Sequence, residues 1–236
     1  MRAIILAGGK GTRLRPYTTV IPKPLLPIGD EMPVLEIIIR QLVKQQFTHI
    51  TLAVNHMANL IMAFFGDGSK WNVKIDYSME DKPLNTLGPL TLIPDLTDDF
   101  LVMNGDLLCN IDYNHLLNYH IQKKNNITVS AYSEEYQIKS GVLKYDSDNM
   151  LTDFVEKPMY SSDVMMGIYC LNRTVIQGLP KGKPYGFDNL MLDSLKNKIN
   201  VEIKPFDGYW LDIGRPNDYD TANEQYDKLK DIMGLD

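Results

Sequence analysis

A short apolar run that ends in a glycine-rich, cationic loop is the feature that most constrains the fold of this chain. Residues 3–6, AIIL, are typical of a strand buried on both faces of a parallel sheet. The next segment, GGKGTRLRP at 8–16, is too polar for a core. Glycine loops let backbone N–H groups approach phosphate oxygens, and the forked guanidinium of Arg13 also suits phosphate. We therefore expect an α/β fold whose first loop binds a phosphate-bearing ligand.

Strand-like and helix-like segments alternate in the first half of the chain, which predicts a parallel sheet with helical crossovers. Beyond residue 127 the strand-like pieces are separated by short spacers, which favours antiparallel pairing there. The predicted strands of the first half lie at 49–54, 73–78 and 100–104, and those of the second half at 127–132, 141–145, 151–158 and 164–171. The predicted helices lie at 34–46, 57–65, 187–197 and 216–232.

Composition limits the partners. The 236 residues carry 24 basic and 30 acidic side chains, a net charge of −6, so no basic field attracts nucleic acid and any phosphate must be held by local cations. Cys109 and Cys170 form no CxxC pair and fit reduced thiols. There is neither a signal-peptide pattern nor an apolar run of about 18 residues, the length a membrane-spanning helix needs. We expect a cytoplasmic protein that binds neither nucleic acid nor membrane.

The opening loop matches neither common nucleotide-binding signature. Gly9 and Gly11 begin a GxGxxG pattern, but Leu14 stands where the third glycine is required, and GxxxxGK followed by Ser or Thr is absent. A second cationic segment, PKPLLP at 22–27, places Lys23 between two prolines that stiffen the backbone. Together the two segments favour a phosphate site over a flexible connection.

Six segments in order carry a resemblance to one enzyme family. They are GGKGTRLRP, PKPLLP, EDKPLNTLGPL (80–90), NGD (104–106), FVEKP (154–158) and GYWLDIGRP (208–216). The chain resembles the sugar-1-phosphate nucleotidyltransferases. The residues of its motifs are most similar to those of mannose-1-phosphate and D-glycero-D-manno-heptose-1-phosphate guanylyltransferases. The resemblance implies a Rossmann-like three-layer α/β sandwich with a mixed, mostly parallel central sheet, the GT-A-like nucleotide-diphospho-sugar transferase fold. It implies a single domain over 1–236, with a nucleotide-binding half at 1–110 and a sugar-phosphate-binding half at 111–236.

The chemistry of such enzymes joins a nucleoside triphosphate to a sugar 1-phosphate and releases pyrophosphate. The sugar phosphate attacks the α-phosphorus in line, so catalysis needs positioning, cations and a divalent metal rather than a protein nucleophile. The resemblance therefore implies Mg²⁺ as the cofactor. It also implies a nucleoside triphosphate, with GTP favoured, and a hexose- or heptose-1-phosphate as substrates. A homodimer is left open.

The resemblance also assigns roles to residues of the matched segments. Catalysis would rest on Arg13, Lys23 and Asp106, and Asp106 and Asp212 would hold Mg²⁺. The nucleotide would be bound by Leu6, Ala7, Gly8, Gly9, Gly11, Thr12, Arg13, Glu80, Asn85, Gly88, Asn104 and Gly105. The sugar phosphate would be bound by Gly141, Glu156, Lys157 and Gly167.

Glu80 stands where thymine- or uracil-using relatives carry a glutamine that reads the base. A carboxylate only accepts hydrogen bonds, and guanine presents adjacent N1–H and N2–H donors. Glu80 therefore favours guanine. Two alternatives stay open: a thymidylyl- or uridylyltransferase for glucose-1-phosphate or an amino-sugar phosphate, and a non-catalytic regulatory subunit that binds nucleotide sugar.

Some positions depart from the family pattern. Asn85 stands where glycine is common, and asparagine tolerates a positive φ better than most residues. Met165 and Met166 replace the common Asn-Ala before Gly167, so an amide that would bind sugar hydroxyls is absent. We expect a sugar pocket altered by two flexible apolar side chains.

Overall fold

The computed structural model describes residues 1–29 and 31–234, so Asp30 and the last two residues of the predicted domain lie outside the described residues. Within the described ranges, no helix has both the length and the apolar character needed to cross a bilayer. The strands are β1 (Arg2–Leu6), β2 (Pro27–Ile28), β3 (Met32–Pro33), β4 (His49–Val54), β5 (Lys74–Met79), β6 (Asp99–Asn104), β7 (Leu107–Cys109), β8 (Ile127–Gln137), β9 (Val142–Tyr145), β10 (Leu151–Val155), β11 (Met159–Asn172), β12 (Glu202–Phe206) and β13 (Trp210–Asp212). The α-helices are α1 (Val34–Lys44), α2 (Ala58–Phe65), α3 (Tyr113–Lys123), α4 (Arg173–Gln177), α5 (Phe187–Asn197), α6 (Pro216–Glu224) and α7 (Tyr226–Met233).

Seven of the described strands form the central sheet, in the order β12-β8-β11-β6-β1-β4-β5. β1 is parallel to β4 and β6, β4 is parallel to β5, and β12 is parallel to β8. β11 is antiparallel to both of its neighbours, β6 and β8. Six strands therefore run in one direction and one against them, which confirms the predicted mixed, mostly parallel sheet.

The sheet carries an apolar core on each face because successive side chains of a strand point to opposite sides. Ala3 and Ile5 pack into one core with side chains of α1, α2, α3 and α7. Ile4 packs into the other core with side chains of α4 and α5. All three side chains are fully buried, which explains the unbroken apolar run at 3–6. The helices on the two faces make the predicted three-layer sandwich.

Several elements differ from the sequence-based expectation. The helix expected at 216–232 is divided into α6 and α7, which meet at Gln225. α3 was not expected; its N-terminus is capped by Asp112, whose Oδ1 accepts the N–H of His115 at 2.7 Å. β12 was not expected either, and it adds a parallel strand at one edge of the sheet.

A small antiparallel sheet of β7 and β13 lies next to the end of β6. Its register places Trp210 opposite Cys109 and Asp212 opposite Leu107. The backbone N–H of Ile213 also donates to the carbonyl of Asp106 at 3.0 Å. This pairing brings the segment WLDIG beside the segment NGD, although the two are far apart in sequence.

Candidate active site

A cleft of about 450 Å³ opens at the carboxyl edge of the parallel strands. The segments that follow β1, β4, β5 and β6 all contribute to its lining, as is usual for ligand sites of parallel sheets. Most of the predicted nucleotide-binding residues meet here, together with Lys23 and Asp106. The lining residues are Leu6, Ala7, Gly8, Gly9, Lys10, Lys23, Pro24, Ala53, Asn55, Glu80, Pro83, Leu84, Asn85, Thr86, Pro89, Asn104, Gly105 and Asp106.

The glycine loop after β1 packs against the end of β5. A Cβ atom on Gly8 would lie 2.9 Å from Oε1 of Glu80 and 3.2 Å from Cβ of Asn55, so a side chain at Gly8 would displace both. A Cβ atom on Gly9 would meet nothing within 4 Å, so the backbone of Gly9 borders open space. Gly11 has a φ of 60°, in the left-handed region that favours glycine. The loop therefore presents backbone to the cleft while packing closely at Gly8.

Lys23 and Asp106 form an ion pair in the wall of the cleft. Nζ of Lys23 donates to Oδ2 of Asp106, and Lys23 is only 9% exposed. The other oxygen, Oδ1 of Asp106, is buried and accepts no hydrogen bond from the described residues. Since buried polar atoms are normally paired, this oxygen points to a ligand or a cation as its partner.

Asp212 lies next to Asp106 because of the β7–β13 pairing. Burial raises the pKa of Asp212, and the Asp106 carboxylate raises it further, whereas the charges of Lys23 and Arg13 oppose the change. In the described part of the chain, no group of three or more His, Cys, Asp or Glu is placed to hold a metal ion. The two carboxylates nevertheless suit Mg²⁺, which commonly takes one or two carboxylates and completes its shell with phosphate oxygens and water.

Thr12 and Arg13 do not line the cleft. Both are exposed and belong to a 3-10 turn, Thr12–Leu14, that follows Gly11. Nη1 of Arg13 lies 3.6 Å from the position that a Cβ atom would take on Gly214. Arg13 thus borders the Asp106–Asp212 pair from outside the inner cleft, and the phosphate contacts of Thr12 and Arg13 stay predictions.

Glu80 is half-buried at the end of β5. Its Oε2 accepts the backbone N–H of Leu84 at 3.0 Å. Burial raises the pKa of Glu80, and the hydrogen bond from Leu84 partly offsets this. Oε2 therefore stabilises the turn over 80–84, while Oε1 lies against Gly8 at the cleft.

The loop after Glu80 places Asn85 in the cleft and keeps Gly88 out of it. Asn85 has a φ of 60°, a left-handed value that asparagine tolerates better than most residues. The N–H of Gly88 donates to the carbonyl of Tyr185 at 3.0 Å, and a Cβ atom there would lie 2.6 Å from the carbonyl oxygen of Lys183. Gly88 thus allows the loop to pack on the segment 183–185, and its contact with a nucleotide stays a prediction.

The predicted sugar-phosphate residues fall in two places. Gly167 has a φ of 73° at an irregularity in β11, and a Cβ atom there would lie 2.6 Å from Nδ2 of the cleft residue Asn104. Gly141, Glu156 and Lys157 lie at the base of the β9–β10 hairpin, outside the lining of the cleft. Nζ of Lys157 lies 3.9 Å from Oε1 of Glu156, and both side chains are more than half exposed. These three residues form a separate exposed cluster.

The two methionines that depart from the family pattern occupy different environments. Met166 is 1% exposed and belongs to the core, and its carbonyl accepts the indole N–H of Trp210 at 3.1 Å. Met165 is 46% exposed. Met166 therefore lies in the core, because the irregularity in β11 turns it inward, and only Met165 of the two is exposed. The expected effect of the two methionines on the sugar pocket stays a prediction.

Three lining residues with polar side chains, Lys10, Asn55 and Thr86, were not predicted from the sequence. Lys10 is exposed in the glycine loop and has no hydrogen bond or ion pair with any described residue, whereas Lys23 is already paired. Asn55 follows β4 directly, and its Nδ2 donates to the carbonyl of Glu80 at 2.7 Å. Asn55 carries a sequence signal, since it is a polar residue immediately after an apolar strand, and Lys10 is a cation between two glycines of the loop after β1.

A family model, related sequences and solved structures were compared with this chain, and all three comparisons indicate the same family. A family model described as nucleotidyl transferase matches residues 2–228. A mannose-1-phosphate guanyltransferase of Schizosaccharomyces pombe is 33% identical over 235 residues, which cover 96% of this chain and 64% of that relative. The chain thus spans less than two thirds of that relative's length.

Two solved structures share the fold over nearly their whole chains. HddC from Yersinia pseudotuberculosis, complexed with GMP-PN, has a TM-score of 0.72 and 27% identity, covering 95% of this chain and 99% of HddC. A putative glucose-1-phosphate thymidylyltransferase from Bacillus anthracis, in complex with a sucrose, has a TM-score of 0.74 and 26% identity, covering 95% and 94%. Because the family model matches almost the entire sequence and the fold agrees, this chain belongs to the nucleotidyl transferase family.

Proposed function

We propose that this chain is a guanylyltransferase that joins GTP to a hexose- or heptose-1-phosphate and releases pyrophosphate. The observation that carries the proposal is the convergence of the glycine loop, the Lys23–Asp106 pair and Asp212 at one edge of the sheet. The relatives support the same class, since one is named a mannose-1-phosphate guanyltransferase and another was solved with GMP-PN.

The reaction needs little from the protein beyond position and charge. One oxygen of the sugar phosphate forms a bond to the α-phosphorus, the bond to the bridging β-phosphate oxygen breaks, and pyrophosphate leaves with that electron pair. The backbone of Gly8 and Gly9 holds the nucleotide phosphates. Lys23 neutralises charge that develops at the α-phosphate, and Lys10 and Arg13 attract the departing phosphates.

Asp106 and Asp212 are the residues that would hold Mg²⁺. When bound, this ion neutralises charge on phosphate oxygens of the nucleotide. Two observations support the assignment. Oδ1 of Asp106 is buried without a donor among the described residues, and the pKa of Asp212 is raised by burial and by Asp106, so a cation would relieve both.

Glu80 is our candidate for the residue that reads the base. Its Oε1 borders the cleft, and its Oε2 can accept a second hydrogen bond beside that from Leu84. The second candidate function is thymidylyl or uridylyl transfer. The likeness to a putative glucose-1-phosphate thymidylyltransferase favours it, as does the use of one Glu80 oxygen within the protein.

The sugar phosphate is assigned to the second half of the chain. Gly167 lies against Asn104 at the rim of the cleft, and Gly141, Glu156 and Lys157 lie on the hairpin. The exposure of Glu156 and Lys157 leaves both free for hydroxyl and phosphate groups. This placement supports the division into a nucleotide half at 1–110 and a sugar-phosphate half at 111–236.

The test is a matrix of substrates. Purified protein with Mg²⁺ is given GTP, dTTP, UTP or ATP with each member of a panel of sugar 1-phosphates, and pyrophosphate release and product mass are measured. We expect release with GTP and a hexose- or heptose-1-phosphate, none from Asp106→Asn, and full release from the exposed control Asp227→Asn. Faster turnover with dTTP or UTP supports the second candidate. Binding of nucleotide sugar without release from any pair supports a non-catalytic regulatory subunit.

A further inference from the structure

Asn55 lies beside Glu80 in the lining of the cleft. It follows β4 directly, and a Cβ atom on Gly8 would be 3.2 Å from Cβ of Asn55 and 2.9 Å from Oε1 of Glu80. The side chains of Asn55 and Glu80 therefore flank the same glycine. Since Glu80 is the candidate reader of the base, Asn55 lies where the base would be bound.

The amide of Asn55 has one hydrogen-bond partner within the described chain. Its Nδ2 donates to the carbonyl of Glu80 at 2.7 Å, which holds the amide in one orientation. No described residue donates to Oδ1, and Oδ1 is not one of the buried side-chain atoms that lack a partner. Oδ1 is therefore an accessible acceptor on a half-buried side chain of the cleft.

Glu80 offers its two oxygens unequally. Oε2 accepts the backbone N–H of Leu84 at 3.0 Å, whereas Oε1 accepts from none of the described residues. A nucleobase that enters beside Gly8 thus meets two unpaired acceptors on different side chains, Oε1 of Glu80 and Oδ1 of Asn55.

Two neighbouring acceptors distinguish the bases by their hydrogen-bonding edges. Guanine presents two adjacent donors, N1–H and N2–H. Uracil and thymine present one N–H between two carbonyl oxygens, and adenine and cytosine present an amino group beside a ring-nitrogen acceptor. An acceptor of the base placed against an acceptor of the protein leaves both without a donor, which costs free energy away from water. Guanine is therefore the base whose edge matches both side chains.

We propose that Asn55 is a specificity-determining residue whose Oδ1 accepts the N2–H of guanine, while Oε1 of Glu80 accepts the N1–H. In this arrangement guanine uses one oxygen of Glu80, so the hydrogen bond from Leu84 to Oε2 stays intact. The assignment rests on the proposed function, in which the nucleotide is GTP.

Inosine triphosphate tests the contact, because its base keeps the N1–H of guanine and lacks the N2 amino group. The value of kcat/KM is measured with GTP and ITP, and the Kd with GMP and IMP, for wild type, Asn55→Ala and Asn55→Asp. Alanine removes the whole amide, whereas aspartate keeps an oxygen acceptor and loses the donor to Glu80. The matched control Asn59→Ala removes the same side chain from an exposed position of α2, outside the lining of the cleft. Circular dichroism reports folding of each variant.

Wild type and the Asn59 control should prefer the guanine nucleotide about fivefold, the value of one net hydrogen bond. Asn55→Ala should lower this preference below about twofold, because the acceptor for N2–H is lost. Asn55→Asp should keep the preference while binding both nucleotides more weakly. Glu80→Gln should weaken the binding of both alike, since N1–H is common to the two bases.

A preference that survives in folded Asn55→Ala overturns the assignment, and so does a wild type that does not distinguish GTP from ITP. In both cases turnover of GTP leaves the proposed function standing. A loss of preference in Asn55→Asp as large as in Asn55→Ala also overturns it, because the bond from Nδ2 to Glu80 would then carry the selection. Turnover with dTTP or UTP but not with GTP refutes the proposed function and the assignment with it. If Asn55→Ala does not fold, Asn55→Ser, which also lacks Nδ2 and Oδ1, replaces it.

Discussion

Replacing Lys10 with glutamine tests whether the unpaired cation of the cleft serves the triphosphate. The described residues that line the cleft include two cations, Lys10 and Lys23, and Lys23 already holds Asp106. Glutamine keeps most of the side chain's length and its ability to donate a hydrogen bond but removes the charge. We expect the variant to bind the nucleoside triphosphate more weakly and the monophosphate with unchanged affinity.

The magnitude follows from Coulomb's law. A doubly charged terminal phosphate at ~5 Å from the ammonium interacts by about 1.7 kcal/mol at the dielectric constant of water and by about 6.6 kcal/mol at an effective value of 20. Because Lys10 is exposed, the lower figure applies. A loss of about 1.5 kcal/mol corresponds to roughly a tenfold increase in Kd. The loss should shrink as salt is added, since exposed charges are screened.

The assay compares the Kd of the nucleotide that supports turnover with the Kd of its monophosphate by calorimetry in metal-free buffer. Lys82→Gln is the matched control, because Lys82 is exposed in the loop beside the cleft but does not line it. Lys10→Arg should restore most of the affinity. A change of less than twofold for the triphosphate refutes the reasoning, and so does an equal loss for the monophosphate.

Three further substitutions test other parts of the site. Glu80→Gln should lower the ratio of kcat/KM for GTP to that for dTTP at least tenfold, and an unchanged ratio would remove Glu80 from base selection. Asp212→Asn should abolish turnover yet raise the Tm of the metal-free protein at pH 7 by roughly 2 °C. Because the pKa of Asp212 is raised in the folded state, its ionised carboxylate lowers the stability of the fold. The gain in Tm should therefore shrink as the pH falls and wild-type Asp212 becomes protonated. Gly167→Ala should lower the Tm by roughly 2 to 8 °C, since a left-handed non-glycine residue costs about 1–2 kcal/mol. It should also weaken nucleotide binding, because the new methyl group displaces Asn104. The control Gly178→Ala, at a φ of −76°, should leave the Tm and nucleotide binding unchanged.

Strands and helices with a clear local pattern of apolar residues were predictable from the sequence. β1 and β4, for example, are buried on both faces and therefore appear as continuous apolar runs. The helix expected at 34–46 ends at Lys44, and the strand expected at 100–104 begins at Asp99. The helix α3 was missed although Asp112 is a usual N-cap residue, since its apolar stripe is narrow and includes the fully buried His120. Local pattern thus located the elements to within a few residues.

The candidate site depends on contacts between segments far apart in sequence, which no short stretch of the sequence reveals. The pairing of β7 with β13 and the Lys23–Asp106 ion pair join segments far apart in sequence. The resemblance to a family indicated these residues, but it did not indicate that Arg13 would lie outside the inner cleft. The orphaned oxygen of Asp106 and the unpaired charge of Lys10 are properties of packing, so they required the structure.

The position of β6 between β1 and β11 also bears on how the protein is made on the ribosome. β6 ends at Asn104, but the strand that covers its other edge pairs from Ile168 onward. At about 5–20 residues per second, that strand is synthesised roughly 3 to 13 s after β6. During this interval the emerging half-sheet has an open apolar edge of the kind that invites pairing with other chains. Newly made chains are therefore expected to depend on chaperones until the antiparallel strand is in place.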